Sequence, residues 1–255
     1  MNNRLFYIGA ATNTLDYASK RLESRGCKIV PAPTADVTHL LLPVPSFDSN
    51  GNLRGGGDPK AILEALPRNI TVIGGNLRHQ LLQDYRTMDL LQDECYLAQN
   101  ARITAECAIQ IAMKQLPVTL AFTEVLIIGW GRIGKCLTQL LRGMGAEVTV
   151  TARKEYDLAM ASALGYSSFP LCGIEPRLAR YRVIFNTVPA TILPEPMTEN
   201  CRPDCVMIDL ASVSGIGGSR AIQARGLPGK MAPETSGNLI ANSILRNCAK
   251  KEALP

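Results

Sequence analysis

The chain is poor in several features that would settle its class at once. It has two histidines and one tryptophan in 255 residues. No apolar stretch reaches the ~20 residues a helix needs to cross a bilayer. The opening MNNRLFYIGA lacks the basic and apolar regions of a secretory leader. A cytoplasmic protein without membrane association is the expectation. The 27 Lys and Arg against 22 Asp and Glu leave a formal charge of +5, but these basic residues are scattered. They form no stripe and no recognisable reading module, so nucleic acid is not the expected partner. A small anionic substrate explains the excess equally well. Paired C-x-x-C knuckles are absent: of eight cysteines only Cys201 and Cys205 stand close, and His39 and His79 lie far from them. No zinc site and no other metal is expected. The thiols read as free and mostly buried, as in a reducing compartment.

What is present suits an ordinary globular protein: 46% hydrophobic and 19% charged residues can build a core. The length allows two compact domains. RLFYIGA (4–10) reads as a strand, TLDYASKRLESRG (14–26) as a helix stopped by Gly26, and CKIV and VTHLLLPV as further strands. PSFDSNGNLRGGGD (45–58) is loop by composition, PKAILEAL restarts a helix with Pro59 near its first position, and NITVIGG is another strand. From Thr87 to Leu116 the pattern turns helical and ends at Pro117. The alternation then resumes with EVLIIG, a helix from Arg132 to Met144, AEVTV, a helix around YDLAMASALG, RVIFNTV and CVMIDLAS, and ETSGNLIANSILRNCAKK closes the chain as a helix. Strands alternating with helices predict α/β architecture: two Rossmann-like domains with mostly parallel sheets, linked by interdomain helices. The expected division is 1–100 for a substrate domain, with the closing helix 235–250 packed back on it, and 101–234 for a nucleotide domain.

The strongest chemical signal is EVLIIGWGRIGK. Gly129, Gly131 and Gly134 form G-x-G-x-x-G after an apolar strand and at the start of a helix. The first glycine permits the tight turn, the second lets pyrophosphate approach the backbone, and the third lets helix and strand pack closely. The helix N-terminus adds unpaired N–H groups. The second strand, VTVTARK, lacks a terminal acidic residue; such a residue would bond the ribose 2′-hydroxyl of NAD. Arg153 and Lys154 stand there instead, and a guanidinium suits a 2′-phosphate. The cofactor expected is therefore NADP rather than NAD, the alternative for the two cations being plain solvation. Candidate nucleotide contacts are Gly129, Gly131, Arg132, Ile133 and Gly134 from the turn, and Thr151, Arg153 and Lys154 from the second strand. Asn186, Thr187, Val188, Pro189, Leu210, Ala211 and Ser212 join them from the ends of two later strands. For Asn186, Thr187 and Ser212, ordinary turn chemistry is the competing reading. In GLPGKMAPETSG (226–237), read as a shaped loop, Lys230 is either a carboxylate anchor or a solvated lysine, and Thr235 or Ser236 a helix cap.

NARITAECAIQIAMKQLPVTL, VLIIGWGRIGK, VTVTARK, VIFNTVPA, VMIDLAS and GLPGKMAPETSG together resemble the A-subunit family of dipicolinate synthases, over roughly residues 95–245. The first third is similar in plan only, its GAATNTLD departing from the family's Gly-Gly-Asp and arginine pattern. The resemblance implies a two-domain fold like that of formate and glycerate dehydrogenases, an NADP-type cofactor, and oxidation of a dihydrodipicolinate-type ring to pyridine-2,6-dicarboxylate for the spore core. It also implies a partner, a flavoprotein-like B subunit; a homo-oligomer is expected. A dicarboxylate substrate needs cations, and Arg54, Arg78, His79, Arg102 and Lys230 are the candidates. Thr104 and Glu106 of ITAE match the family and are expected to open a helix; Glu106 is a candidate base or a helix cap. A D-2-hydroxyacid dehydrogenase is the rival enzyme, but the loop GLPGKMAP lacks that family's histidine and IDLAS lacks its arginine. A non-catalytic nucleotide-binding protein, regulatory in role, is the other alternative.

Overall fold

The computed structural model describes residues 4–253. They fall into two compact units: one runs to Asn100 and resumes at Pro228, and the other is Ala101–Leu227.

The first unit begins with β1 (Leu5–Ile8), α1 (Asn13–Glu23), β2 (Lys28–Val30), β3 (His39–Leu41), α2 (Pro59–Glu64), β4 (Thr71–Gly74) and β5 (Arg86–Asp89). Its sheet runs β2-β1-β3-β4-β5, every pair parallel. α1 starts where Thr12, in extended conformation, accepts a hydrogen bond from the Leu15 N–H, and it buries Leu15, Ala18 and Leu22. Leu40, Leu42, Ile70 and Val72 lie in one hydrophobic cluster beside the sheet.

The segment expected to be helical from Thr87 differs. Arg86–Asp89 is extended and pairs with β4 from Thr71↔Arg86 to Gly74↔Asp89, as an edge strand with no apolar run to announce it. The Asp89 carboxylate then accepts from the N–H groups of Asn76, Leu77 and Leu91, pinning the strand end. α3 (Glu94–Gln115) starts only after Asp93, whose carboxylate accepts from the Cys95 and Tyr96 N–H groups. The boundary between the units falls inside this helix.

The second unit continues with β6 (Glu124–Ile128), α4 (Arg132–Gly143), β7 (Glu147–Ala152), α5 (Glu155–Ala163), β8 (Ser167–Pro170), β9 (Val183–Asn186), α6 (Glu195–Thr198), β10 (Val206–Asp209) and β11 (Ala221–Gln223). The sheet runs β11-β10-β9-β6-β7-β8 and is entirely parallel. Read from β8, this is the doubly wound Rossmann order, while the first sheet has the flavodoxin-like order. Both are α/β sheets, as expected. The two short edge strands β8 and β11 had no sequence signal of their own.

The last segments rejoin the first unit. The stretch read as a shaped loop is instead a short helix, α7 (Leu227–Met231), followed at once by α8 (Pro233–Ala253). Pro228 and Pro233 stand in first turns, where a missing N–H costs nothing. The Ser236 N–H donates to the Ala232 carbonyl, so Thr235 and Ser236 lie within the first turn of α8 and not at its cap. α8 buries Leu239, Ile240, Ala241 and Ile244, and each large aliphatic contributes about 1.5–3 kcal/mol. The helix packs on α1 at Gly237, where a Cβ would overlap the Thr14 carbonyl oxygen and lie 2.7 Å from the Tyr17 Cβ.

Candidate functional site

In an open parallel sheet, ligands bind beyond the carboxyl ends of the strands, where the winding reverses. In the second unit that point lies between β6 and β9. The glycine turn follows β6, and Thr187–Pro189 follows β9. Gly129 has φ +102°, a left-handed conformation that glycine adopts without strain, and its N–H donates to the Thr151 carbonyl. A Cβ there would come within 2.5 Å of the Thr187 Oγ1. A Cβ on Gly134 would strike the Gly129 carbonyl oxygen, so helix and strand meet with no room for a side chain. Gly131 differs from both: it caps α4 with no side-chain bond, and a Cβ built on it meets nothing within 4 Å. A side chain at this position would thus enter open space at the start of α4. The chain fits a dinucleotide pyrophosphate here, because the glycines that pack are closed and the one that would face the ligand is open.

Arg132 is exposed and Ile133 half-buried in the first turn of α4. Thr151 is fully buried, and its hydroxyl donates to the Phe169 carbonyl at 3.0 Å, tying β7 to β8. Arg153 and Lys154 are both exposed between β7 and α5. Thr187 donates its hydroxyl to the Ile128 carbonyl at 2.9 Å, which joins the ends of β6 and β9. Val188 is half-buried and Pro189 exposed; Leu210 and Ala211 are buried, while Ser212 is exposed after β10.

Asn186 turns inward. Its amide nitrogen donates to the Asp209 Oδ1 at 2.8 Å and to the Val188 carbonyl at 3.1 Å, and its oxygen accepts from the Val188 N–H. Asp209 was not among the expected residues. Fully buried at the end of β10, it accepts from the N–H groups of Ala211, Gly215 and Ile216 and from the Ser214 hydroxyl as well. Burial opposes its charge, but the bonds from Asn186 and these N–H groups prevail and hold the carboxyl below its ordinary range. The ends of β9 and β10 are thus fastened to one buried carboxylate. The sequence signal for it was the Asp of IDLAS, a polar residue closing an apolar strand.

Thr104 and Glu106 lie inside α3 and do not open it. Thr104 is buried, whereas Glu106 is exposed and pairs with Arg102 one turn earlier at 2.7 Å. The charges of both Arg102 and Glu106 act on the Cys136 thiol of α4, which burial raises above its ordinary pKa. The ion pair therefore stands close to the helix that begins at the glycine turn.

In the first unit the winding reverses between β1 and β3. Gly55, Gly56 and Gly57 all have left-handed φ, of +84°, +88° and +94°. They fold the segment after Arg54 against the turn that follows β1: a Cβ on Gly55 would lie 2.7 Å from Thr12 and 3.2 Å from the Ala11 carbonyl oxygen. Arg54 itself is exposed and donates its Nε to the Phe47 carbonyl at 3.1 Å. Lys230, exposed at the end of α7, follows Gly229, where a Cβ would be 3.3 Å from the Thr14 hydroxyl. The segments carrying Arg54 and Lys230 thus both pack on the start of α1. His79 stacks on Phe47 with ring centroids 4.2 Å apart, and its Nδ1 accepts from the Leu81 N–H. Arg78 and His79 line an open cavity of about 440 Å³ with Gln80, Gln83 and Tyr85.

Among the described residues, no helix is long and apolar enough to cross a membrane. No protein-family model matches the chain. The L-alanine dehydrogenase fold aligns over 96% of this chain and 89% of the other, with a TM-score of 0.67 and 14% identity. The crystal structure of the dipicolinate synthase A subunit from Bacillus halodurans aligns over 100% of this chain and 99% of its own, with a TM-score of 0.84 and 21% identity. In sequence, the dipicolinate synthase A subunit of Bacillus subtilis is 24% identical over 248 residues, 89% of this chain and 83% of that protein. The likeness carried by the motifs is borne out over nearly the whole chain, which is similar in sequence and in fold to the A subunit of dipicolinate synthase.

Proposed function

We propose that the chain is an NADP-dependent oxidoreductase of the dipicolinate synthase A-subunit kind, which oxidises a dihydrodipicolinate-type ring to pyridine-2,6-dicarboxylate. The observation that carries the reading is the glycine turn: closed at Gly129 and Gly134, open at Gly131, and set at the point where the Rossmann sheet reverses. Dehydrogenase-like relatives of the same fold support an oxidoreductase, and Arg153 with Lys154 supports NADP over NAD.

A nicotinamide cofactor, when bound, supplies the hydride acceptor. The chain's own work is binding, orientation and proton transfer. The N–H groups at the start of α4 receive the pyrophosphate, and Arg153 and Lys154 receive the 2′-phosphate. Arg54 and Lys230 pair with substrate carboxylates. Glu106, paired with Arg102, accepts the proton released as the ring becomes aromatic, and buried Thr104 fixes the face of α3 from which Glu106 projects. Aromatisation provides much of the driving force, so orientation matters more here than a strong base. The same reading places the protein in the cytoplasm of a spore-forming cell, as a homo-oligomer working with a flavoprotein-like B subunit.

The test is to mix the chain with NADP+ and a dihydrodipicolinate-type substrate and follow the absorbance of the reduced nicotinamide. Growth of that signal with formation of pyridine-2,6-dicarboxylate is expected. Tight NADPH binding with no hydride exchange, whether the B subunit is present or not, would identify a binding module instead.

A further inference from the structure

The buried carboxylate of Asp209 is placed to act on a ligand as well as on its neighbours. It sits at the carboxyl end of β10, beside the end of β9, on the edge where an open parallel sheet holds its ligand. Each hydrogen bond that it is seen to accept comes from a neutral donor: the Asn186 amide, the N–H groups of Ala211, Gly215 and Ile216, and the Ser214 hydroxyl. Among the described residues it makes no ion pair. A full negative charge is therefore fixed in the interior, where water screens it poorly. A neutral Asn in its place would also accept, but its amide would face the N–H groups of Gly215 and Ile216. The geometry thus calls for a carboxylate.

We infer that Asp209 sets the redox preference of the nucleotide site, favouring the oxidised nicotinamide, whose ring is cationic, over the reduced, neutral ring. This rests on the reading of the second unit as a nicotinamide-nucleotide site. It also bears on the proposed direction of reaction. A site that stabilises the oxidised cofactor lowers the driving force for hydride acceptance, and an aromatising substrate is the kind of donor that can supply the difference. Asn186 has the complementary part. Its amide holds Asp209 and the Val188 peptide together, so it positions the charge without adding any.

The experiment is calorimetric titration of NADP+ and NADPH, with no substrate present, into the wild-type chain, Asp209→Asn and Asn186→Ala. For one buried charge acting on a cationic ring through a partly screened interior, loss of the carboxylate amounts to roughly tenfold in affinity. Wild type is expected to bind NADP+ at least as tightly as NADPH. Asp209→Asn should lose roughly tenfold on NADP+ relative to NADPH, whereas Asn186→Ala should weaken both forms by the same factor. A purely structural role for Asp209 would weaken the two forms alike and overturn the inference. A wild-type chain that prefers NADPH tenfold would overturn it too, whether or not the Asp209→Asn protein folds. Binding of neither cofactor by the folded wild type would remove the nucleotide reading itself, a separate result.

Discussion

The carbonyl oxygen of Gly129 lies where a side chain on Gly134 would have to begin. Three residues earlier, Gly131 opens onto free space. The two glycines of one motif are thus required for different reasons, which mutation separates. Gly134→Ala forces a backbone shift in a tightly packed turn and should destabilise the fold by about 1–3 kcal/mol. Gly131→Val should leave the unfolding midpoint nearly unchanged and abolish NADPH binding, because the added bulk occupies the pyrophosphate's place. Denaturant melts paired with cofactor titration check both. A folded Gly131→Val protein that binds NADPH normally would contradict the cradle.

Cofactor choice depends on the end of β7. Arg153 and Lys154 are exposed, with no acidic residue at the strand terminus. NADP+ should bind more tightly than NAD+, and Arg153→Ala should remove most of that preference. A charge-assisted contact contributes about 1.5–3 kcal/mol, so a change of roughly 10- to 100-fold is expected for NADP+ and little for NAD+. Equal affinities in the wild type would take the 2′-phosphate role away from these cations.

Much of this site was legible because it is local. The glycine spacing, the apolar strand before it and the cations after β7 are all contiguous features. What escaped was long-range. Asn186 read as a ligand contact because nothing nearby in sequence shows that Asp209, 23 residues on, engages its amide. Arg86–Asp89 carries no strand pattern and becomes extended by pairing with β4, a tertiary effect that overrides local preference. The stretch 226–237 looked like a loop for its glycines and prolines, yet both prolines fit first turns of helices. Thr104 and Glu106 were expected to open a helix, yet α3 starts after Asp93, a capping residue well upstream of both.

Acid should loosen the junction of α3 and α8. Asp93 accepts from Arg246, from the Asn247 amide at 2.7 Å, and from the first N–H groups of α3. Burial opposes its charge, but the bonds from Asn247, the Tyr96 N–H and Arg246 prevail and hold its pKa at about 2. The folded value lies below the unfolded one of about 3.9, so the stabilisation is complete above pH ~4 and disappears as pH falls toward 2. It is about 1–2 kcal/mol once partial solvent screening is allowed for. Urea melts from about pH 7 to about pH 2.5 should show stability falling through this window. Asp93→Asn should be less stable near neutral pH and show a shallower fall; an unchanged slope would assign the acid sensitivity to other carboxylates, Asp209 first.

The substrate end of the proposal is tested at Lys230. It follows Gly229, which packs on Thr14 at the start of α1, and Arg54 precedes Gly55, which packs on Thr12. Two segments far apart in sequence, each carrying a cation, thus pack on one turn at the reversal point of the first sheet, where a carboxylate is the fitting ligand. Each charge-assisted contact is typically about 1.5–3 kcal/mol. Lys230→Ala should therefore weaken pyridine-2,6-dicarboxylate binding roughly 10- to 100-fold while leaving NADPH affinity unchanged. Arg54→Ala should do the same if its guanidinium takes the second carboxylate, and the double variant should lose close to the sum of the two energies. Calorimetry on the three proteins decides between the cations. Unchanged dicarboxylate affinity in Lys230→Ala with a large loss in Arg54→Ala would make Lys230 a solvated bystander and leave Arg54 as the anchor.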